Sequence, residues 1–136
     1  MNQSQPNTAA DTIFLDANVL IEIILGRDKE LVARNFIEEH SDNLFISALV
    51  AHLVIHFGQE IVDLPILRKF LSDYAILSLE SVDFEWAFTN IRNKDFEDSL
   101  QLAVAIRNGC TKFITFDKEL TNAYRDLPSM QVQLLK

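Results

Sequence analysis

Short apolar runs that end at an aspartate and lead into a helix-like segment recur along this chain, and that alternation sets its fold class. Ile13-Phe14-Leu15 is closed by Asp16, and Phe113-Ile114-Thr115-Phe116 by Asp117. A third aspartate, Asp98, stands in Phe96-Glu97-Asp98-Ser99-Leu100-Gln101, at the start of another helix-like stretch. In α/β folds the carboxyl ends of the strands and the adjoining helix starts share one rim, where ligands collect. Carboxylates gathered there repel one another unless a hard divalent cation, which prefers oxygen ligands, lies between them. The pattern points to a metal-dependent site built on Asp16, Asp98 and Asp117.

Strands are expected at residues 12–15, 44–46, 75–79, 112–116 and 130–135. Helical periodicity fills the intervals. Val19, Leu20, Ile23 and Ile24 share one face, and Gly26 ends that helix. Asp28 reads as the cap of a second helix reaching His40, and Ser47 as the cap of a third that stops near Gly58, with Leu49, Leu53 and Phe57 on its apolar side. Leu64, Leu67, Phe70 and Leu71 mark a fourth helix, and Phe84, Ala87, Phe88 and Ile91 form an apolar stripe on a fifth. Asp95 caps a sixth, which buries Leu100, Ala103 and Val104 and ends at Gly109; a short one runs from Lys118 to about Tyr124. Such alternation implies a three-layer α/β/α arrangement around a central, mostly parallel sheet of about five strands.

At 136 residues the chain suits one domain, burying roughly two-thirds of its unfolded surface. Residues 1–11 read as a flexible leader and 12–136 as the domain. No apolar run reaches the roughly 20 residues that span a bilayer, and the polar start is unlike a signal peptide. The single cysteine, Cys110, forms no internal disulfide, which fits a cytoplasmic location. A formal charge of −8 argues against a broad phosphate-binding face. An acidic metal site itself raises the negative count, however, and a bound ion reverses the local field.

Three stretches in order resemble the motifs of the PIN domain, the fold of metal-dependent ribonucleases that serve as toxins in bacterial toxin–antitoxin pairs. Asp16-Ala17-Asn18-Val19-Leu20 matches the opening Asp-x-Asn motif. Asp95-Phe96-Glu97-Asp98-Ser99-Leu100-Gln101 matches the third, and Thr115-Phe116-Asp117-Lys118 the fourth. The likeness runs from about Ile13 to the C-terminus. It implies Mg²⁺ or Mn²⁺ on Asp16, Asp98 and Asp117, an RNA substrate, products with a 5′-phosphate and a 3′-hydroxyl, a small antitoxin partner and a homodimer. The second motif departs: His52 stands where a Glu is expected, five residues after Ser47. A neutral imidazole ligates Mn²⁺ but is a poorer partner for Mg²⁺. Phe116 also occupies a position that is often basic or polar. The alternative is therefore a PIN-fold binding or regulatory module with weakened catalysis.

Ordinary structural roles compete at each position. Asp16 and Asp117 can cap the helices that follow them, which is compatible with metal binding. Asp98 can be the acid of a capping box begun by Asp95. Asn18, Asp95 and Thr115 are candidate supporting residues, Thr115 by a hydrogen bond to ligand or phosphate and Asp95 or Glu97 as a further ligand; their ordinary readings are local backbone bonding for Asn18, a solvated helix start for Asp95 and Glu97, and plain strand propensity for Thr115. His52 and His56 have a two-histidine spacing with no evident third ligand. Trp86 and the phenylalanines read as core or interface residues, and Lys112, Lys118 and Arg92 as candidate phosphate contacts. A receiver-type α/β domain also clusters aspartates, but its acid pair and lysine turn have no counterpart here.

Overall fold

Strands β1 (Ile13–Leu15), β2 (Leu44–Ser47), β3 (Ala75–Leu77), β4 (Lys112–Thr115) and β5 (Gln131–Leu134) pair in parallel in the order β3-β2-β1-β4-β5. They belong to a computed structural model of the protein that describes residues 11–136; the expected leader, Asp11 apart, lies outside the described residues. Because every strand points the same way, all five carboxyl ends open on one rim. β1 lies at the centre, with Ile13, Phe14 and Leu15 buried and Phe14 stacked on Phe113 of β4 at 5.0 Å between ring centroids. A strand covered on both faces needs such a continuous apolar run.

Seven helices connect the strands: α1 (Ala17–Ile24), α2 (Glu30–Glu39), α3 (Ala48–Gly58), α4 (Leu64–Leu71), α5 (Ser81–Asn90), α6 (Phe96–Arg107) and α7 (Lys118–Ala123). α1 ends in a turn through Gly26, whose φ of +61° suits glycine because it carries no Cβ. α6 is the most enclosed: its residues 99–105 are all buried. Within it, Gln101 accepts a 2.6 Å hydrogen bond from Ser47, which also caps α3 by accepting from the Val50 N–H. One hydroxyl thus ties the end of β2 to α6.

Three helix faces differ from the expectation. α2 is capped at Lys29 without a side-chain bond, and Asp28 is exposed; the Lys29 N–H is held instead by Glu22 at 3.0 Å. α3 buries Val50, Ala51, Val54 and Gly58 rather than Leu49, Leu53 and Phe57. α5 buries Asp83 and Ala87, while Phe84 and Phe88 are exposed and gather around Phe96. Asp83 turns inward because Arg107 of α6 meets it with two hydrogen bonds, at 2.8 and 3.1 Å. Ser99 adds a bond to the Ala87 carbonyl, clamping α5 on α6.

Asp83 is 1 % exposed, so removing its cation strands a buried charge. Arg107→Met is expected to destabilise the fold by about 3–5 kcal/mol, read by urea unfolding; Asp83→Asn combined with Arg107→Met should recover part of that loss.

Candidate functional site

Asp16 follows β1 in extended backbone and caps α1, its Oδ1 accepting the Ala17 N–H at 2.7 Å. Its Oδ2 accepts from the Thr115 hydroxyl at 2.8 Å and from Asn18 Nδ2 at 3.3 Å. Thr115 ends β4, the neighbour of β1, and the same hydroxyl accepts from Asn18 Nδ2 and from the Asp117 N–H at 3.1 and 3.0 Å. Asn18 Oδ1 accepts the Phe116 N–H at 3.1 Å. Asp117 then caps α7 through the Leu120 N–H. The strand ends of β1 and β4 are knitted into one network that fixes two of the three aspartates. Asn18 and Thr115 hold them in place, beyond the turn-forming and strand-forming roles their residue types suggest.

Asp98 arrives from the first turn of α6. Asp95 caps that helix by accepting the Glu97 and Asp98 N–H groups. The Asp98 carboxylate accepts from Asn93 Nδ2 at 3.1 Å rather than closing a capping box. Asp16, Asn18, Asp95, Glu97, Asp98 and Asp117 line a single cleft of about 470 Å³ at the rim, together with Ile21, Leu53, Phe57 and Arg27. A larger groove, about 870 Å³ between α3, α4 and β3, is lined by residues such as Leu64, Leu67 and Tyr74, with no carboxylate in its lining. The chemistry belongs to the smaller cleft.

Charge crowding is visible in the acidities. Burial pushes the Asp16 carboxyl up to about 6, against the pull of Thr115 and Ala17, with Asp117 and Glu97 raising it further. Burial, then the Asp16 and Asp95 charges, push Asp98 up to about 7. Glu97 is raised by burial and Asp95. Asp117 adds its charge to both Asp16 and Asp98, and the cleft offers hard oxygen donors with no sulfur or imidazole in its lining.

Among the described residues no three of the His, Cys, Asp and Glu side chains stand together as a ready-made metal cage.

Other expected residues lie elsewhere. His52 is exposed on α3 and stacks on His56 at 6.1 Å, outside the cleft lining. The next residue, Leu53, faces the aspartates instead, because one position along a helix turns a side chain by about 100°. Lys112 starts β4 at the opposite edge of the sheet and pairs with Asp11 at 3.2 Å. Arg92 is held by Asp126 and the Tyr124 ring. Lys118 is exposed beside Asp117. Cys110 is buried, its thiol pushed up to about 11. Arg27, Leu53, Phe57 and Asn93 were not singled out as site residues in the sequence, because nothing in their local spacing marks the cleft.

The sequence profile of the PIN domain matches residues 13–126. The chain belongs to the PIN domain family. No curated protein matches the sequence. Among solved structures, this PIN domain is similar to a chain of a toxin–antitoxin complex from Klebsiella pneumoniae, with 20% identity, a TM-score of 0.72 and coverage of 89% of this chain and 95% of that one. It is also similar to a chain of VapBC2 from Rickettsia felis bound to a DNA fragment from their promoter (14%, 0.66, 91% and 98%). A third is a chain of DNA-bound VapBC from Salmonella typhimurium (15%, 0.65, 91% and 98%). At these identities the likeness carries the fold. PIN domains are generally metal-dependent nucleases. No helix among the described residues is long and apolar enough to cross a membrane.

The raised acids give a signed expectation. Both titrate in the folded state above their ordinary 3.8. The folded protein therefore holds more protons than the unfolded chain between about pH 4 and 7, and stability from these groups fades as pH rises through about 6 to 7. Asp98→Asn should stabilise the metal-free domain at about pH 7.5 by about 1 kcal/mol, after discounting for partial exposure, and flatten that decline. Thermal melts across pH check this.

Proposed function

We propose that this PIN domain is an Mg²⁺- or Mn²⁺-dependent endoribonuclease acting as the toxin of a toxin–antitoxin pair. The reading is carried by one observation: Asp16, Asp98 and Asp117, from three separate stretches of chain, line one rim cleft, where the Asp117 charge makes Asp16 harder to ionise and both charges do the same to Asp98. When bound, the ion supplies Lewis-acid polarisation of a phosphodiester and lowers the pKa of a coordinated water. Asp16, Asp98 and Asp117 would hold it. Thr115 and Asn18 keep Asp16 and Asp117 oriented, and Asn93 orients Asp98. Glu97 and Asp95 line the same cleft and add negative potential that draws cations in. Attack of water on phosphorus with loss of the 3′ oxygen, which leaves protonated as the 3′-hydroxyl, puts the phosphate on the 5′ end.

The solved relatives named above, as toxin–antitoxin assemblies, support a small antitoxin as partner; an arginine reaching into an acidic cleft is its simplest means of neutralisation. A homodimer in a cytoplasmic setting completes this proposal. A binding module with weakened catalysis is favoured by the apolar face that α3 presents to the cleft, Leu53 and Phe57, with His52 turned away.

The assay that separates the two uses purified protein and single-stranded RNA. With Mn²⁺ or Mg²⁺ the protein should cut, leaving 5′-phosphate ends, and Asp16→Asn should lower the rate by about a hundredfold or more (about 3 kcal/mol). RNA left intact under both metals would establish the binding module; cutting that survives Asp16→Asn would remove the cleft from the chemistry.

A further inference from the structure

We propose that the non-acidic part of the cleft lining grips a single strand, Arg27 taking a phosphate next to the scissile one and Phe57 stacking on an adjoining base. The inference rests on the ribonuclease reading and assigns the residues that hold its substrate.

The cleft lining is of two unlike kinds. Carboxylates come from Asp16, Asp95, Glu97, Asp98 and Asp117; Ile21, Leu53, Phe57 and Arg27 come from α1, α3 and the turn after α1. Phe57 has no folding reason to be there. α3 packs through Val50, Ala51, Val54 and Gly58, leaving Phe57 49 % exposed against a charged cleft. An aromatic ring beside a phosphate-handling site supplies what an unpaired base needs, a flat apolar face, and it is sequence-tolerant because every base has one. A duplex keeps its bases stacked inside, so this lining selects single strands.

Arg27 is placed by a pinned turn. Gly26 sets the bend at φ +61°, and the Arg27 N–H donates to the Glu22 carbonyl at 2.9 Å. The Glu22 carboxylate accepts the Lys29 N–H at 3.0 Å and forms a 3.8 Å ion pair with the Arg27 guanidinium, too long for a hydrogen bond. The side chain is 56 % exposed, so its planar donor fork is open to a phosphate. Among the residues lining this cleft Arg27 is the one cation. Lys29 strengthens the same edge, its ammonium 5.0 Å over the Phe116 ring, next in sequence to Asp117. A chain of net charge −8 thereby keeps positive charge where a phosphate must pass.

The test is fluorescence anisotropy of the full chain with a labelled single-stranded RNA of about ten nucleotides. Ca²⁺ replaces Mg²⁺, supplying an oxygen-loving ion. Arg27→Gln should weaken binding about tenfold and lower the slope of log affinity against log salt by about 0.7. Phe57→Ala should weaken it about tenfold with an unchanged slope, and Phe57→Tyr should restore it. Ca²⁺ affinity, by calorimetry, should be the same in all four proteins, and duplex RNA should bind at least about tenfold more weakly than the single strand. Unchanged RNA affinity in both variants, loss of Ca²⁺ affinity with it, or equal binding of duplex would overturn the proposal. A wild type that binds RNA but does not cut it refutes the nuclease reading alone and leaves the variants to decide this one. A wild type that does neither refutes both.

Discussion

Thr115 donates a 2.8 Å hydrogen bond to Asp16 across ninety-nine positions of sequence, and that contact determines where negative charge collects on the molecule. It joins the carboxyl ends of β1 and β4, adjacent strands of a parallel sheet. Through Asn18 and the Asp117 N–H it carries a second aspartate with it. Once those two are fixed, α6 needs only to deliver Asp98 across the gap. The Ser47–Gln101 bond at its centre and the Asp83–Arg107 pair at its far end hold that helix against β2 and α5. Distant polar contacts thus converge on a single purpose, keeping acids close in the absence of anything to neutralise them.

Such an arrangement costs stability. Asp16 is 6 % exposed and Asp98 partly buried, and burial and neighbouring charge push both toward neutrality. A protein selected for stability alone would not crowd carboxylates in this way, whereas one that binds a cation recovers the loss upon binding. The same reasoning explains why the acids lie at the rim and not in the core. At the rim hydration and a metal's own waters remain available, while Phe14, Leu15, Phe113 and Ile114 beneath form a buried apolar layer.

The sheet, its parallel sense and the three aspartates were legible because each depends on local signals: an apolar run, a capping acid, a glycine stop. What eluded the sequence was non-local or a matter of rotation. α3 is apolar on several sides, so spacing alone does not choose between Val50, Val54 and Leu49, Leu53. The choice is made by packing on α1 and α4. His52 was considered for the site by its motif position, five residues after Ser47, whereas Leu53 is the α3 residue in the cleft lining. Nothing local marks Asp83 as buried, because its partner, Arg107, is twenty-four positions away. Asn93 precedes its helix with no pattern that announces a grip on Asp98. Arg27 and Phe57 enter the cleft from a turn and a helix flank, and neither position differs in sequence from ordinary surface.

Anomalous scattering from crystals soaked in Mn²⁺ examines the central claim most directly. The account predicts one strong peak in the rim cleft, at coordination distance from a carboxylate oxygen of Asp16, Asp98 or Asp117, with its remaining neighbours those same acids or water. A peak at His52 and His56 with none between the aspartates would contradict it.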